Sequence, residues 1–452
     1  MAETIPGSTS VHPDSVTGNP SFDYAAGQPN LFRMMKAKQT LHADYGLEPG
    51  FEKFKENLTC IGIGLLEKLS IGFERDFARM TGVFYRELKA AGEQFSTNPL
   101  RTIGKGTART ERGVTRTEYI TCLTDVKVRG RSEGVIAGSH FLLDYQDDEP
   151  DRLDDELEWD PAIFAVTGKD VWIVPARNNE SPIGVTQAFS LLGAHTDFFG
   201  HWICEYLPKL MIAFNSGLLP VGTTILIDSH MPPSHKESLV HLLGGQFEIL
   251  EIPPFREAKV QRLWRAPGIV FTPLHEKRNE KFSFDSTATP AERFRPVLQS
   301  MRTRMDSALK AVPPTGKRVF FARKEFRHRK LVNASQLEEC AKQRDFTIIY
   351  PEDHTFLEQA NFARSADVVL ATEGSAIFLA CFMKPGGKLI ILCHPLVEYL
   401  TGYNAMFSPL GIDTCVMVGP INKVKDSTPQ DSDYFIDPQL FVESLEAEMG
   451  AT

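Results

Sequence analysis

Val319-Phe-Phe-Ala-Arg-Lys-Glu-Phe-Arg-His-Arg-Lys-Leu-Val-Asn333 and Asp367-Val-Val-Leu-Ala-Thr-Glu-Gly-Ser-Ala-Ile-Phe378 decide the fold. Each is a short apolar run that breaks into a chemically loaded loop. Such runs, bounded by turn residues, read as buried strands. In open α/β sheets the ligand sits outside the carboxyl ends of the strands. A basic loop at one strand end and a Glu-Gly-Ser turn at the next point to one anionic ligand held between them. Guanidinium forks match phosphate oxygens two at a time, so Arg323, Arg327 and Arg329 are the candidate diphosphate ligands. Gly374 lets a ligand approach the backbone. Ser375 opens the helix expected over 375–383, where free N–H groups favour phosphate. Glu373 is placed to accept hydrogen bonds from sugar or ribose hydroxyls.

Outward from these runs, strands and helices alternate in two series. The first has strands at 170–174, 223–228 and 247–252, with helices at 201–217 and 234–243. The second has strands at 319–322, 347–350, 368–371 and 389–393, with helices at 334–343, 356–365 and 375–383. A helix over 291–312 and the break Pro313-Pro314-Thr315-Gly316 separate them. The pattern predicts an α/β protein with two Rossmann-like domains facing a cleft. Short runs between 119 and 145 read as a small β-rich unit. From Phe51 to Phe95 apolar residues recur at steps of three and four, which predicts helix. The expected organisation is a disordered tail at 1–30 and a helical N-terminal region at 31–114. An α/β domain with the small β unit follows at 115–312, and a second Rossmann-like domain with a closing helix at 313–452. Residues 96–115 read as a linker.

A net charge of −9 over 452 residues argues against nucleic acid as the main partner. The seven cysteines are scattered and include no CxxC, which fits a reducing compartment such as the cytoplasm. No apolar stretch reaches the roughly 20 residues a membrane span needs. The first residues lack the basic and apolar regions of a signal peptide. There is no G-x-x-x-x-G-K-S/T and no G-x-G-x-x-G at either α/β series, so neither P-loop nor dinucleotide redox chemistry is indicated.

The remaining chemistry lies in His195-Thr-Asp-Phe-Phe-Gly-His-Trp-Ile-Cys-Glu205. On a helix, His201 and Glu205 share a face at i,i+4, and an imidazole with a carboxylate beside it is a general-base arrangement. Either residue could be the base. His195, Asp197 and His201 also supply a two-histidine, one-carboxylate set for a metal. A packed core helix is the structural alternative. Asp228-Ser229-His230 ends a strand and is a weaker candidate.

Taken together, Gly200-His-Trp-Ile-Cys-Glu-Tyr-Leu-Pro-Lys-Leu210, Ala322-Arg323 with Arg329-Lys-Leu-Val-Asn333, and Ala371-Thr-Glu-Gly-Ser-Ala-Ile377 followed by Phe382-Met-Lys-Pro-Gly386 resemble glycosyltransferase family 61. That family shares H-W/F-x-x-D/E-x-L-P-R/K-L, a strand followed by S-R and then R-x-L/I/V-x-N, and G-x-H/E-G-S/A-A/G-L with a later F-x-x-P-G. Ala322 and Phe378 depart from the common Ser and Asn. The resemblance covers roughly 115–420. It implies a GT-B fold and an inverting hexosyl- or pentosyltransferase acting without a required metal or other cofactor. The implied partners are a nucleotide-sugar donor and a glycan acceptor, with Asn333, Glu373 and Gly374 at the donor sugar or ribose. Without anchor or disulfides, the chain is similar to bacterial members active in capsule or surface-polysaccharide assembly, with peripheral association to such a complex. A catalytically inactive glycan-binding or scaffold protein is the alternative.

Overall fold

The two stretches quoted above form adjacent strands. In the computed structural model, Arg318–Phe321 pairs in parallel with Val368–Thr372, and their loops leave from the same end. The structure describes residues 67–96, 100–104, 112–115, 117–144, 160–167, 170–174, 176, 181–269, 277–278, 281–282, 291–313, 316–324, 329–395, 406–423 and 432–450. The expectations for the tail at 1–30, for 31–66 and for Arg327 lie outside the described residues.

The C-terminal sheet is parallel, in the order Thr347–Ile349, Arg318–Phe321, Val368–Thr372, Lys388–Cys393, Asp413–Val418, Arg101–Gly104. Every residue of Val368–Thr372 and Lys388–Cys393 is buried. Burial on both faces is what makes strands of this kind read as unbroken apolar runs. The helix Phe356–Ser365 starts where it does because Thr355 and Glu358 form a reciprocal capping box. After Arg318–Phe321 the chain lays its next strand on one side and the following one on the other. The order therefore reverses between Arg318–Phe321 and Val368–Thr372. That reversal is the switch point where sheets of this order open a crevice for ligand.

The N-terminal sheet has a parallel part, Ile249–Ile252, Thr224–Asp228, Ile183–Ser190 and Glu257–Arg265. Glu257–Arg265 also pairs antiparallel with the long strand Glu118–Arg129. That pairing fuses the expected small β unit into the same eleven-stranded sheet. The helical reading of the N-terminal region is corrected for the described residues 67–96. Glu67–Phe73, Phe84–Lys89 and Gln94–Ser96 are strands, and only Glu74–Thr81 is helical. Around Leu69 the burial alternates, with Lys68 and Ser70 exposed, so the true period there is two. The three-and-four spacing spanned a strand, a turn of helix and a second strand.

The linker expected at 96–115 is also corrected. Gln94–Ser96 and Arg112–Val114 pair as an antiparallel ribbon. Between them, Arg101–Gly104 adds the edge strand of the other sheet beside Asp413–Val418. Arg101 is fixed there by Asp413 at 2.8 Å and Glu448 at 2.7 Å.

The sheets are further joined by one apolar core. Trp202, Leu207 and Met211 from the first half share it with Ile377, Phe378 and Phe382 from the second, and with Leu298, Met301 and Met305 of the helix Ala291–Ala311. Glu237 reaches across to accept the free N–H groups of Phe356 at 2.8 Å and Leu357 at 3.3 Å. Along this seam side chains from the two halves pack together.

Candidate active site

The helix carrying His201 follows Ile183–Ser190 through a loop tied down by Asp228. This carboxylate, at the end of the next strand, accepts hydrogen bonds from the N–H of Gly193 at 3.0 Å, the N–H of Arg131 at 2.5 Å and the hydroxyl of Thr196 at 2.8 Å. Complete burial raises its pKa to about 7. Arg131 has left-handed backbone, φ 68°. Its guanidinium holds Asp197 at 3.3 Å and the Ala194 carbonyl at 2.9 Å.

The helix itself is irregular. It runs as Phe199–His201, widens to a π turn over Trp202–Tyr206, and continues as Leu207–Ser216. Pro208 has no N–H to give to Cys204 and would crowd its carbonyl, and the wide turn directly precedes it. Such π turns recur at functional sites. Across its start, His201 Nδ1 and Glu205 Oε2 are 2.8 Å apart, as the i,i+4 spacing predicts.

The histidines around this pair are driven apart electrostatically. Burial works against a charged His201, but the Glu205 carboxylate outweighs it and holds the pKa above the ordinary histidine value. His195 stacks on His201 with ring centroids 4.8 Å apart. Burial, then His201 and Arg131, hold His195 well below that value. His230 is pushed down to about 4, chiefly by burial, and so is His235, whose Nδ1 lies 2.9 Å from the Thr196 carbonyl. Opposed shifts within one cluster are the mark of assigned acid and base roles. The metal set of His195, Asp197 and His201 does not form: the imidazoles stack, Asp197 faces Arg131, and no such group stands together among the described residues.

Beneath the pair lies a buried charge cluster that sequence reasoning missed. Lys209 binds Glu133 and, at 2.7 Å, Asp144. Arg265 binds Glu74 at 2.8 Å and the Glu133 carbonyl at 3.2 Å. Burial raises Glu74 to about 7 despite Arg265. Burial opposes ionisation of Asp144 too, yet Lys209 and Arg265 keep it below the carboxylate norm. The available signal was a lysine inside an apolar helical stretch, Leu207 to Ala213.

At the switch point, Arg323 lies against Gly374, with Nη1 3.5 Å from where a Cβ would stand. Gly374 has φ 147°, a backbone state that L side chains rarely adopt. Arg329 Nη1 binds Glu373 Oε1 at 2.9 Å, and Glu373 is buried. Burial first, and then the neighbouring Arg329, lower the pKa of Arg323. Two guanidiniums thus flank the turn, as the sequence predicts.

The surroundings of three further candidates are as follows. Ser375 is exposed and opens a 3₁₀ helix, Ser375–Phe382, in place of the expected α-helix. Glu373 orients Arg329. Asn333 spends its amide on the backbone of Ile436, at 2.8 and 3.3 Å, tying down the strap that ends the basic loop. The two sides of the site meet where Gly200 abuts Phe378, whose Cε2 is 2.5 Å from the position of an added Cβ.

The class these residues belong to is that of the glycosyltransferases. Residues 199–390, which hold the His201–Glu205 pair, both guanidiniums and the Glu373-Gly374 turn, match the sequence model of the family Glycosyltransferase 61. That segment is similar to glycosyltransferase family 61. No curated protein matched the chain.

Proposed function

We propose that this chain is an inverting glycosyltransferase of GT-B arrangement that moves a sugar from a nucleotide-sugar donor to a hydroxyl of a glycan acceptor. The observation that carries the reading is the contact of Gly200 with Phe378, which sets the His201 helix against the turn beside Arg323. With Nδ1–H donated to Glu205, His201 offers the Nε2 lone pair to the acceptor hydroxyl. The oxygen attacks the anomeric carbon as the bond to the diphosphate breaks on the opposite face. The proton passes to Nε2, and the diphosphate leaves with its charge matched by Arg323 and Arg329. Fixed guanidiniums supply the electrostatic stabilisation that a cation would otherwise supply.

A bacterial, cytoplasmic role in surface-polysaccharide assembly, with peripheral association to an assembly complex, fits the reading. Among the described residues no helix is long and apolar enough to cross a membrane. The departure at Phe378, which motivates the inactive-scaffold alternative, has a packing cause in Gly200.

The test is release of nucleoside diphosphate from a panel of nucleotide sugars, with and without chelator. His201→Ala should lower kcat about 10²- to 10⁴-fold with donor KM retained. Arg323→Ala should raise donor KM. No turnover of any donor by the wild-type protein, or wild-type kinetics in both variants, would sink the proposal.

A further inference from the structure

We infer that Phe198 is the platform of the acceptor subsite, an aromatic face on which a sugar ring of the acceptor lies while His201 takes its hydroxyl proton. The inference rests on the transferase reading above and adds to it the residue that receives the acceptor.

Phe198 is 45% exposed. The other strongly exposed aromatic side chain among the described residues, Phe84, is packed on Trp264 at 5.4 Å. Phe198 instead stands beside the two imidazoles, with ring centroids 5.8 Å from His195 and 6.0 Å from His201. Both arrangements are edge-to-face, at 68° and 72°. Whichever ring supplies the edge in such a pair, one face of the phenyl ring stays clear of its partner.

The position is also rigid. The N–H of Phe198 donates to the His195 carbonyl at 3.0 Å, and its carbonyl accepts from the Trp202 N–H at 2.9 Å. Phe198 is the N-cap of the His201 helix, with extended backbone and no side-chain cap bond. Ser, Thr, Asp or Asn would serve a helix better there. The sequence forgoes the capping side chain and exposes a large aromatic ring where neither stability nor solubility asks for one.

The occupant follows from the neighbour. His201 Nε2 acts on a hydroxyl, and the phosphate-binding guanidiniums lie on the second sheet, so the group beside Phe198 is the hydroxyl-bearing acceptor. A pyranose presents a C–H face and a rim of hydroxyls. Its face suits the negative face of a phenyl ring, and its rim then meets the imidazole. A flat ring without hydrogen-bonding groups selects for a sugar with an uninterrupted C–H face.

The experiment is saturation-transfer NMR on the full chain with a panel of methyl hexosides and pentosides, which carry no aromatic group of their own. Thermal stabilisation by nucleoside diphosphates is measured alongside. At least one glycoside should receive saturation at the protons of one ring face. Phe198→Ala should weaken its binding at least about tenfold, Phe198→Tyr and Phe198→Trp should restore it, and nucleotide stabilisation should be unchanged in all three. Normal nucleotide binding with no glycoside contact that depends on Phe198 overturns the platform. So does a loss of nucleotide stabilisation in Phe198→Ala, since the ring would then serve the donor. If the wild-type protein binds no nucleotide, the transferase reading falls and takes the platform with it.

Discussion

Gly200→Ala tests the junction on which the site depends. A methyl carbon there would stand 2.5 Å from Phe378 Cε2, 2.8 Å from Cδ2 and 3.2 Å from Cζ. Carbon atoms in contact rest about 3.5–4.0 Å apart, so the overlap is on the order of 1 Å. Phe378 has little room to yield, being 8% exposed and backed by Phe407. The helix must shift instead. Overpacking of this kind costs about 1–3 kcal/mol, and a catalytic group displaced by about 1 Å can lose 10²-fold in rate. His201 follows Gly200 directly, so both losses should appear together. The assays are thermal unfolding and nucleoside diphosphate release, run on Gly200→Ala, Phe378→Leu and the double variant. Leucine removes the ring atoms that clash, so the double variant should recover part of both losses, with a coupling energy of about 0.5–3 kcal/mol. A stable, fully active Gly200→Ala protein, or strict additivity in the cycle, would refute the reasoning.

Lys209→Met should leave Glu133, Asp144 and Glu74 sharing Arg265 alone and destabilise the fold by about 3–5 kcal/mol at neutral pH; urea unfolding at pH 5 should show a smaller loss, because protonated carboxylates need no partner. Equal unfolding midpoints for variant and wild type would count against the cluster. Glu205→Gln removes the charge that raises His201, so the acid limb of the rate–pH profile should move to lower pH while the plateau falls. The sign for stability is the same as for any raised histidine: the pair's contribution is full below the ordinary histidine pKa and is lost as pH rises through the folded value. An acid limb that stays in place would mean that another group sets it.

What the sequence conveyed depended on how far a segment's surroundings are local. Val368–Thr372 and Lys388–Cys393 are buried on both faces, so their composition alone announces them. Ile183–Ser190 was not read because Gly184, Thr186 and Gln187 interrupt its apolar run. Glu257–Arg265 hides behind the exposed Lys259, Gln261 and Arg262, which interrupt its apolar pattern. The His201–Glu205 contact was legible because a helix fixes i,i+4 neighbours. The tie of Glu373 to Arg329, the three bonds to Asp228 and the approach of Phe378 to Gly200 were not, because each joins segments far apart in the chain. Phe198 was in view as a letter, but its exposure is a property of the fold.

The ribbon through Arg101–Gly104 has a consequence for how the molecule is made. Arg101 and Asp413, partners in the finished sheet, are separated by 312 residues. At about 5–20 residues per second, the strand emerges roughly 15–60 s before its neighbour exists. Until then its unpaired backbone edge is a site for wrong pairing. The C-terminal sheet is thus closed at its edge by a strand synthesised first and seated last, and its completion is a late event in the life of the nascent chain.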